Sequence, residues 1–256
     1  MGHDISSVID GWDFNPDEFQ ARIIRGDDGL DKIQMRVDLG LLQMNLAGRP
    51  DGERPNGFES LLEFFEDRHR QSEASGEPFS LDHQACTTLM REGLQYYHRY
   101  LSAFHLRRYD LVTRDTDRNL RLFAFVVRHA SRRRDKAEFD QYRPYVTMMR
   151  SRSLALAAIG EGDYTLALKE IDDGIGRIRQ FLSDYDRADD EADCAELGFL
   201  TRWRKEVEME RPTGPVERLE QQLERAVTSE EYEEAARIRD QLRRLRGESI
   251  EESRLS

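Results

Sequence analysis

Apolar residues recur at helical spacing through most of the chain after position 58. The stretch Leu61–Phe65 begins one predicted helix, the polar stretch Ser72–Pro78 ends it, and a longer helix follows over Ser80–Leu106. Aromatic residues with near-helical spacing are predicted to form the core of this part: Tyr96, Tyr97, Tyr100, Phe104, Phe123 and Phe125. The pattern therefore predicts an α-helical body.

Two segments of the body resemble each other at an offset of 55 residues, so that Tyr109 matches Tyr164 and Asp117 matches Asp172. This repetition predicts two related helical hairpins. The second segment is similar to a tetratricopeptide hairpin, although the usual tryptophan and terminal proline of that family are missing. We therefore predict an irregular helical bundle or a short solenoid, a type of fold that usually binds proteins. The residues that carry the similarity are Leu154, Ala155, Gly162, Asp163, Tyr164, Ala167 and Ile171.

A period of two replaces the helical period before position 58. Apolar and polar residues alternate from Ile33 to Leu41, and the alternation then shifts phase over Leu42–Leu46, as a bulge at Gly40–Leu41 would produce. Ala21–Arg25 is predicted to pair with this strand across the turn Gly26–Gly29. The fold class is therefore mainly α, with a small N-terminal antiparallel β-hairpin.

The strand leads into GRPDGERPNG, where the pattern Arg-Pro-Asp/Asn-Gly occurs twice in succession. Proline followed by Asp or Asn and then Gly suits consecutive β-turns. The simpler interpretation is a stiff corner. The alternative is a recognition loop in which Arg49, Asp51, Arg54 and free backbone N–H groups grip a carboxylate or a phosphate.

The C-terminal stretch Pro212–Arg246 predicts a second kind of element, a pair of short amphipathic helices. Gly214-Pro215 suits the start of the first helix, and Thr228 with Glu231 has the spacing of a capping box for the second. Helices this short are unstable alone, so their apolar seam must be buried against the body, a second copy or another protein.

The residues of this stretch resemble the UVR motif, a helical hairpin of the bacterial excision-repair proteins UvrB and UvrC and of the McsA and ClpC stress proteins. The resemblance implies protein contacts, often with another UVR hairpin. The strand and the GRPDG loop also resemble uncharacterised bacterial proteins that end in this motif, which implies no activity. The predicted partner-binding residues are Leu219, Leu223, Tyr232, Glu233, Ala235, Ala236, Arg239, Asp240, Leu242 and Leu245.

Net charge, cysteine content and the lack of long apolar runs argue against several classes of protein. Charged residues make up 35% of the chain and the net charge is -12, which argues against a surface that binds nucleic acid throughout. Cys86 and Cys194 are far apart and lack metal-ligand spacing, which favours reduced thiols in a cytoplasmic protein. The N-terminus has no signal-peptide pattern, and no apolar run is long enough to span a membrane.

Charge is distributed unevenly, because residues 91–152 contain fifteen Lys or Arg and only seven Asp or Glu. This basic segment is interpreted as a solvated face or as internal ion pairing, and nucleic-acid binding is the less favoured alternative. The acidic stretch Asp184–Glu196 is predicted to be a solvated connector. The candidate nucleic-acid contacts are Arg128, Arg132, Arg133 and Arg134.

Catalytic and metal-binding motifs were sought, and no phosphate-binding loop, nucleophile elbow or His-Glu-x-x-His is present. Glu66 and His69 form a single Glu-x-x-His without a second copy, and His98 and His105 are interpreted as packing or surface residues. We therefore expect a non-enzymatic adaptor without metal or cofactor that docks a UVR-containing protein or a second copy of itself. A DNA-repair accessory, and an enzyme with a polar pocket between sheet and bundle, stay open.

The predicted organisation has four parts. Residues 1–57 form the β region with its tandem turns, and residues 58–211 form the helical body. Residues 212–246 form the UVR-like hairpin, and residues 247–256 form a flexible tail.

Overall fold

The structure is a computed structural model that describes residues 4–212, 214, 219, 223, 226–227 and 232–252, without the side chains of Ala188 and residues 244–252. Two units are present, Met1–Val207 and Glu208–Ser256. The first contains a small sheet and most of the helices, and the second contains the described part of the C-terminal hairpin. The mainly α architecture with a small antiparallel sheet is confirmed.

Three antiparallel strands form the sheet: β1 (Ala21–Arg25), β2 (Asp31–Val37) and β3 (Gly40–Asn45), in the order β1-β2-β3. The predicted pairing of β1 across the turn at 26–29 is confirmed. Ile33 and Met44 face each other and are buried against the helices, together with Met35. A short helix, α1 (Ser6–Ile9), precedes the sheet.

The single bulged strand predicted after Ile33 is wrong, because the chain reverses there. Asp38 and Leu39 form a turn, and Val37 pairs with Gly40. Because the turn has two residues, odd-numbered positions of β2 pair with even-numbered positions of β3. Paired residues lie on the same face of the sheet, so a single apolar face needs apolar residues at odd positions of β2 and at even positions of β3. A bulge and a tight turn therefore give the same sequence pattern.

Seven helices follow in the first unit: α2 (Leu61–Ser75), α3 (His83–His105), α4 (Tyr109–His129), α5 (Arg133–Asp140), α6 (Arg143–Gly160), α7 (Tyr164–Asp184) and α8 (Ala195–Glu210). Side chains cap several N-termini, since Ser60 accepts from the Glu63 N–H, Asp82 from that of Ala85 and Asp163 from that of Leu166. The acidic connector contains a 3-10 helix, Ala188–Asp193.

The two predicted hairpins are α3–α4 and α6–α7, and their turns have the same geometry. Backbone φ is positive two residues before each second helix, 57° at Arg107 and 80° at Gly162. The next residue in each turn donates its N–H to a carbonyl five positions earlier, Arg108 to Ala103 at 2.8 Å and Asp163 to Ala158 at 2.9 Å. The repetition in sequence is therefore a repetition in structure.

An ion pair ties the second helix of each hairpin to a later helix of the chain. Asp117 of α4 contacts Arg150 of α6 at 2.5 Å, and the matching Asp172 of α7 contacts Arg204 of α8 at 2.6 Å. Helix α8 thus contacts the α6–α7 hairpin as α6 contacts the α3–α4 hairpin, although α5 lies between α4 and α6 in the chain. The repetition therefore extends from the two hairpins to the helices that follow them.

The second unit contains two helical arms. Leu219, Leu223 and residues 226–227 are helical, and α9 (Tyr232–Glu252) forms the other arm. The predicted turn at Thr228, its capping box and Pro215 lie outside the described residues. Helical backbone continues through residues 247–252, which were predicted as part of the tail.

Candidate functional site

The apolar seam of the C-terminal unit is buried within the unit itself. Ala226, Ala235, Ile238 and Leu242 are buried together, and Leu219 and Leu223 pack against them. Ile238 was missed by the sequence prediction, although it lies three residues after Ala235 and four before Leu242, on the same helix face. The seam therefore stabilises the hairpin by joining its two arms.

The predicted partner-binding residues thus fall into two groups. Those that hold the arms together are Leu219, Leu223, Ala235 and Leu242, and Ala236 is half-buried. Those that face solvent are Tyr232, Glu233, Arg239 and Asp240, whereas the side chain of Leu245 lies outside the described residues.

Among the described residues of this unit, large apolar side chains are exposed at Met209 and at the two positions that flank residues 228–231. Val227 is 52% exposed and Tyr232 is 67% exposed. We call Val227 and Tyr232 the tip pair. Acidic residues follow at the start of α9 and basic residues further along, with a long contact of 3.5 Å between Arg237 and Glu234. The exposed surface combines apolar area with both signs of charge, which suits a protein interface.

The charged side chains of the GRPDG loop form ion pairs and hydrogen bonds with other residues of the protein. Arg49 contacts Asp51 at 3.0 Å and Glu92 of α3 at 3.4 Å, and Gln95 donates to Asp51 at 2.8 Å. Arg54 pairs with nearby Glu59. These contacts fix the loop to α3 and agree with the stiff-corner interpretation.

A buried polar network below this loop was missed by the sequence prediction. Arg99 and Asp115, whose side chains are each 1% exposed, form a bidentate ion pair. Arg99 Nε donates to Asp115 Oδ2 at 2.7 Å, and Arg99 Nη2 donates to Asp115 Oδ1 at 2.8 Å. Arg99 also donates to the carbonyls of Asn45 and Gly48, both at 2.8 Å, which joins the end of the sheet to α3 and α4. The network positions the corner between sheet and helices.

Glu92 extends this network towards α2. It accepts the N–H groups of Leu61 and Leu62 at 2.7 and 3.2 Å and contacts Arg118, whose guanidinium carbon lies 4.1 Å from the ring centroid of Tyr96. Burial lowers the pKa of Arg118, and the nearby Glu92 opposes that shift. The available signal in the sequence was the presence of charged residues on helix faces that are otherwise apolar.

The basic segment presents an exposed face where α4 ends and α5 begins. The candidate contacts Arg128, Arg132, Arg133 and Arg134 are exposed, and none of them forms an ion pair within the described part of the chain. Internal ion pairing therefore does not explain the positions of these four side chains. Their exposure agrees with the interpretation as a solvated face. Elsewhere in the segment pairing is common, as with Arg99 and Arg118.

A small cleft of about 130 Å³ contains Cys86, His83 and Asp135. His83 Nδ1 and Asp135 Oδ1 are 2.9 Å apart. Burial and the neighbouring carboxylates raise the pKa of the Cys86 thiol to about 11, so the thiol is protonated at neutral pH and a poor nucleophile. Within the described residues no group of three or more His, Cys, Asp or Glu side chains is placed to hold a metal ion.

A second, shallower cleft of about 330 Å³ lies between the N-terminal segment, the start of β1 and the end of α3. Its polar side chains are Glu18, Gln20 and His105, beside Trp12 and Phe19. His105 stacks on Phe19 with ring centroids 5.4 Å apart, and His98, whose pKa is lowered by burial, is half-buried on the same helix. Both histidines have packing roles, as predicted.

Comparison with known proteins identifies the C-terminal unit. No curated protein and no solved structure matches the chain. No helix among the described residues has the length and apolar character needed to cross a bilayer. The model of one family, the UvrB/uvrC motif, matches residues 214–248, and such motifs mediate protein–protein interactions. The C-terminal unit therefore carries a UvrB/uvrC motif, as its residues predicted.

Proposed function

We propose that this protein is a non-enzymatic adaptor whose UVR hairpin docks a protein that carries a UVR motif, or a second copy of this chain. The observation that carries the proposal is the motif match over residues 214–248 on a hairpin whose seam is already closed. Because the seam residues contact each other, the proposed docking surface is the outer face. It is centred on the tip pair and includes Glu233, Arg239 and Asp240.

The charge order along α9 supports pairing with a similar hairpin. Glu233 and Glu234 lie in its first turn, and Arg237, Arg239 and Arg243 follow. When two such helices meet in antiparallel orientation, the acidic start of each faces the basic part of the other. A two-fold contact of this kind repeats each favourable pair.

The test compares self-association and partner capture by full-length variants. Val227→Ala with Tyr232→Ala is expected to reduce both while the hairpin stays helical, because the tip pair is exposed and outside the seam. Gln241→Ala, at an exposed position of the same helix, is the matched control and is expected to behave as the wild type. Sedimentation velocity measures self-association, and a pull-down that includes a truncation after Arg211 measures capture. A sedimentation profile and a captured set that do not change, even in the truncation, would remove the proposal.

We also propose that the adaptor is cytoplasmic, on the basis of its two cysteines. Both cysteines are free, as expected of a reducing compartment.

A second candidate function, a DNA-repair accessory, is favoured by the exposed arginines of the basic segment. For this function we expect DNA binding that weakens as salt rises, because arginines that contact phosphates release counterions. Neutralising Arg132, Arg133 and Arg134 to glutamine should remove the binding and its salt dependence in a fluorescence-anisotropy titration. Absence of binding by the wild type at low salt would exclude this candidate.

A further inference from the structure

Arg152 of α6 lies where side chains from three helices meet. Its guanidinium carbon is 4.6 Å from the ring centroid of Phe104 of α3 and 4.6 Å from that of Phe199 of α8. Helix α3 is the first helix of one hairpin, and α6 is the first helix of the other. Helix α8 comes after the α6–α7 hairpin in the chain. The guanidinium is therefore held between aromatic side chains of two helices other than its own.

This guanidinium has no oxygen acceptor within the described residues. Its Nε is buried without a hydrogen-bond partner, and the contact of Nη1 is with Met149 Sδ at 4.0 Å. A buried donor left unpaired costs free energy, more so when it carries charge. Burial accordingly lowers the pKa of Arg152.

Other arginines of similar burial contact at least one oxygen acceptor, although Arg49 Nε and Arg118 Nε are, like Arg152 Nε, buried without a hydrogen-bond partner. Arg22 and Arg36 donate to amide or carbonyl oxygens. Those that contact carboxylates are Arg49, Arg99, Arg118, Arg143 and Arg150. The chain has 51 acidic residues against 39 basic ones, so a shortage of carboxylates does not explain the unpaired state of Arg152.

The surroundings of Arg152 are amphipathic. Trp203 stacks on Phe199 with ring centroids 6.2 Å apart, and both side chains are half-buried. Tyr145 lies close enough to influence the pKa of Arg152, and burial raises the pKa of Tyr145 itself to about 12, so its hydroxyl keeps its proton. The site thus offers a fixed cation beside a neutral phenol and apolar walls.

We propose that Arg152 anchors a second docking surface, which binds a carboxylate on an apolar peptide segment of a partner protein. Aromatic rings contact the guanidinium and its Nε is buried, so the terminal Nη groups are the part left for a ligand, and a carboxylate can accept hydrogen bonds from them. Apolar side chains beside the carboxylate would pack on Phe104, Phe199 and Trp203. The net charge of -12 opposes a polyanion such as nucleic acid but costs little for a single carboxylate. The residues of this surface all belong to the first unit.

The test uses the full-length chain and three peptides at millimolar concentration, followed by NMR. Acetyl-Phe-Glu-Leu-amide carries a side-chain carboxylate, acetyl-Phe-Gln-Leu-amide carries none, and acetyl-Phe-Gln-Leu with a free C-terminus carries a terminal one. We expect the peptides with a carboxylate to shift the Arg152 Nε–H and Trp203 indole signals and the uncharged peptide to leave them unchanged. Comparison of the two active peptides identifies the source of the carboxylate. Equal shifts from all three, or no shift from any, would overturn the proposal.

Variants give a second criterion, with the Trp203 signal as the readout. Arg152→Gln is expected to weaken binding at least about tenfold, because a charge-assisted pair is lost, and Arg152→Lys should restore it only in part because the planar fork is missing. Arg177→Gln removes the same charge at an exposed position of α7 and should bind as the wild type. Equal affinity of Arg152→Gln and Arg177→Gln would contradict the proposal. If Arg152→Gln fails to fold, Arg152→Lys and the peptide comparison in the wild type still decide the outcome.

Discussion

Leu242→Asp is expected to abolish docking through the UVR hairpin and to unfold the hairpin while the body stays folded. Leu242 is 5% exposed and packs with Ala226, Ala235 and Ile238, so the substitution removes apolar contacts and places a carboxylate in a seam without a partner for it. The expected cost is roughly 3 kcal/mol or more. Since two short arms have little stability of their own, this loss exceeds what the hairpin can tolerate.

Hydrogen exchange of α9 and sedimentation velocity measure this result in the full-length protein. Gln241→Asp adds the same charge one residue earlier, at an exposed position, and should leave exchange protection in place. The tip-pair variant separates docking from folding of the hairpin. It should lose docking but keep the hydrogen-exchange protection of α9, whereas Leu242→Asp should lose both. If Leu242→Asp keeps both protection and docking, neither the seam nor the proposed role of the hairpin is correct.

Asp115→Ala is expected to lower the melting temperature of the body by about 10 °C. The substitution leaves the Arg99 guanidinium buried with backbone carbonyls as its acceptors, and breaking a buried ion pair in this way costs about 3–5 kcal/mol. In a unit of this size each kcal/mol corresponds to about 2–4 °C. The β region should also loosen, because Arg99 holds the carbonyls of Asn45 and Gly48.

Asp117→Ala is the matched control for this experiment. Asp117 lies on the same helix and pairs with Arg150, but its side chain is 51% exposed, so its loss should cost less than about 1 kcal/mol. Replacing the pair together, with Arg99→Met and Asp115→Leu, should recover much of the stability because neither substitution leaves the other residue's charge buried and unpaired. Equal melting temperatures of Asp115→Ala and Asp117→Ala would show that the buried pair contributes no more than a surface pair.

The helical hairpins illustrate what local pattern predicts well. Tyr109 and Tyr164 begin equivalent helices, and the offset of 55 reappears in the turn geometry at Arg107 and Gly162. The UVR hairpin is similar, since the described residues of its apolar stripe lie within one short stretch. In each case the residues that determine the structure are close together in sequence.

The β region illustrates a limit of the same method. The phase shift after Gly40 was visible, but a bulge and a two-residue turn produce the same shift, and the pairing partner decides between them. The docking surface shows a related limit. Leu223 and Tyr232 both belong to the motif, yet one packs in the seam and the other faces solvent, because the second arm covers one face of each helix.

The sequence by itself determined the mainly α class, the repeated hairpins and the UvrB/uvrC motif, because each depends on the spacing of neighbouring residues. Only the tertiary structure decided which charges are paired. Arg99 and Asp115 meet across two helices, and Arg152 lies between helices that are distant in sequence and contacts no carboxylate among the described residues. Ion pairing and burial depend on distances between elements, and a one-dimensional pattern does not contain those distances.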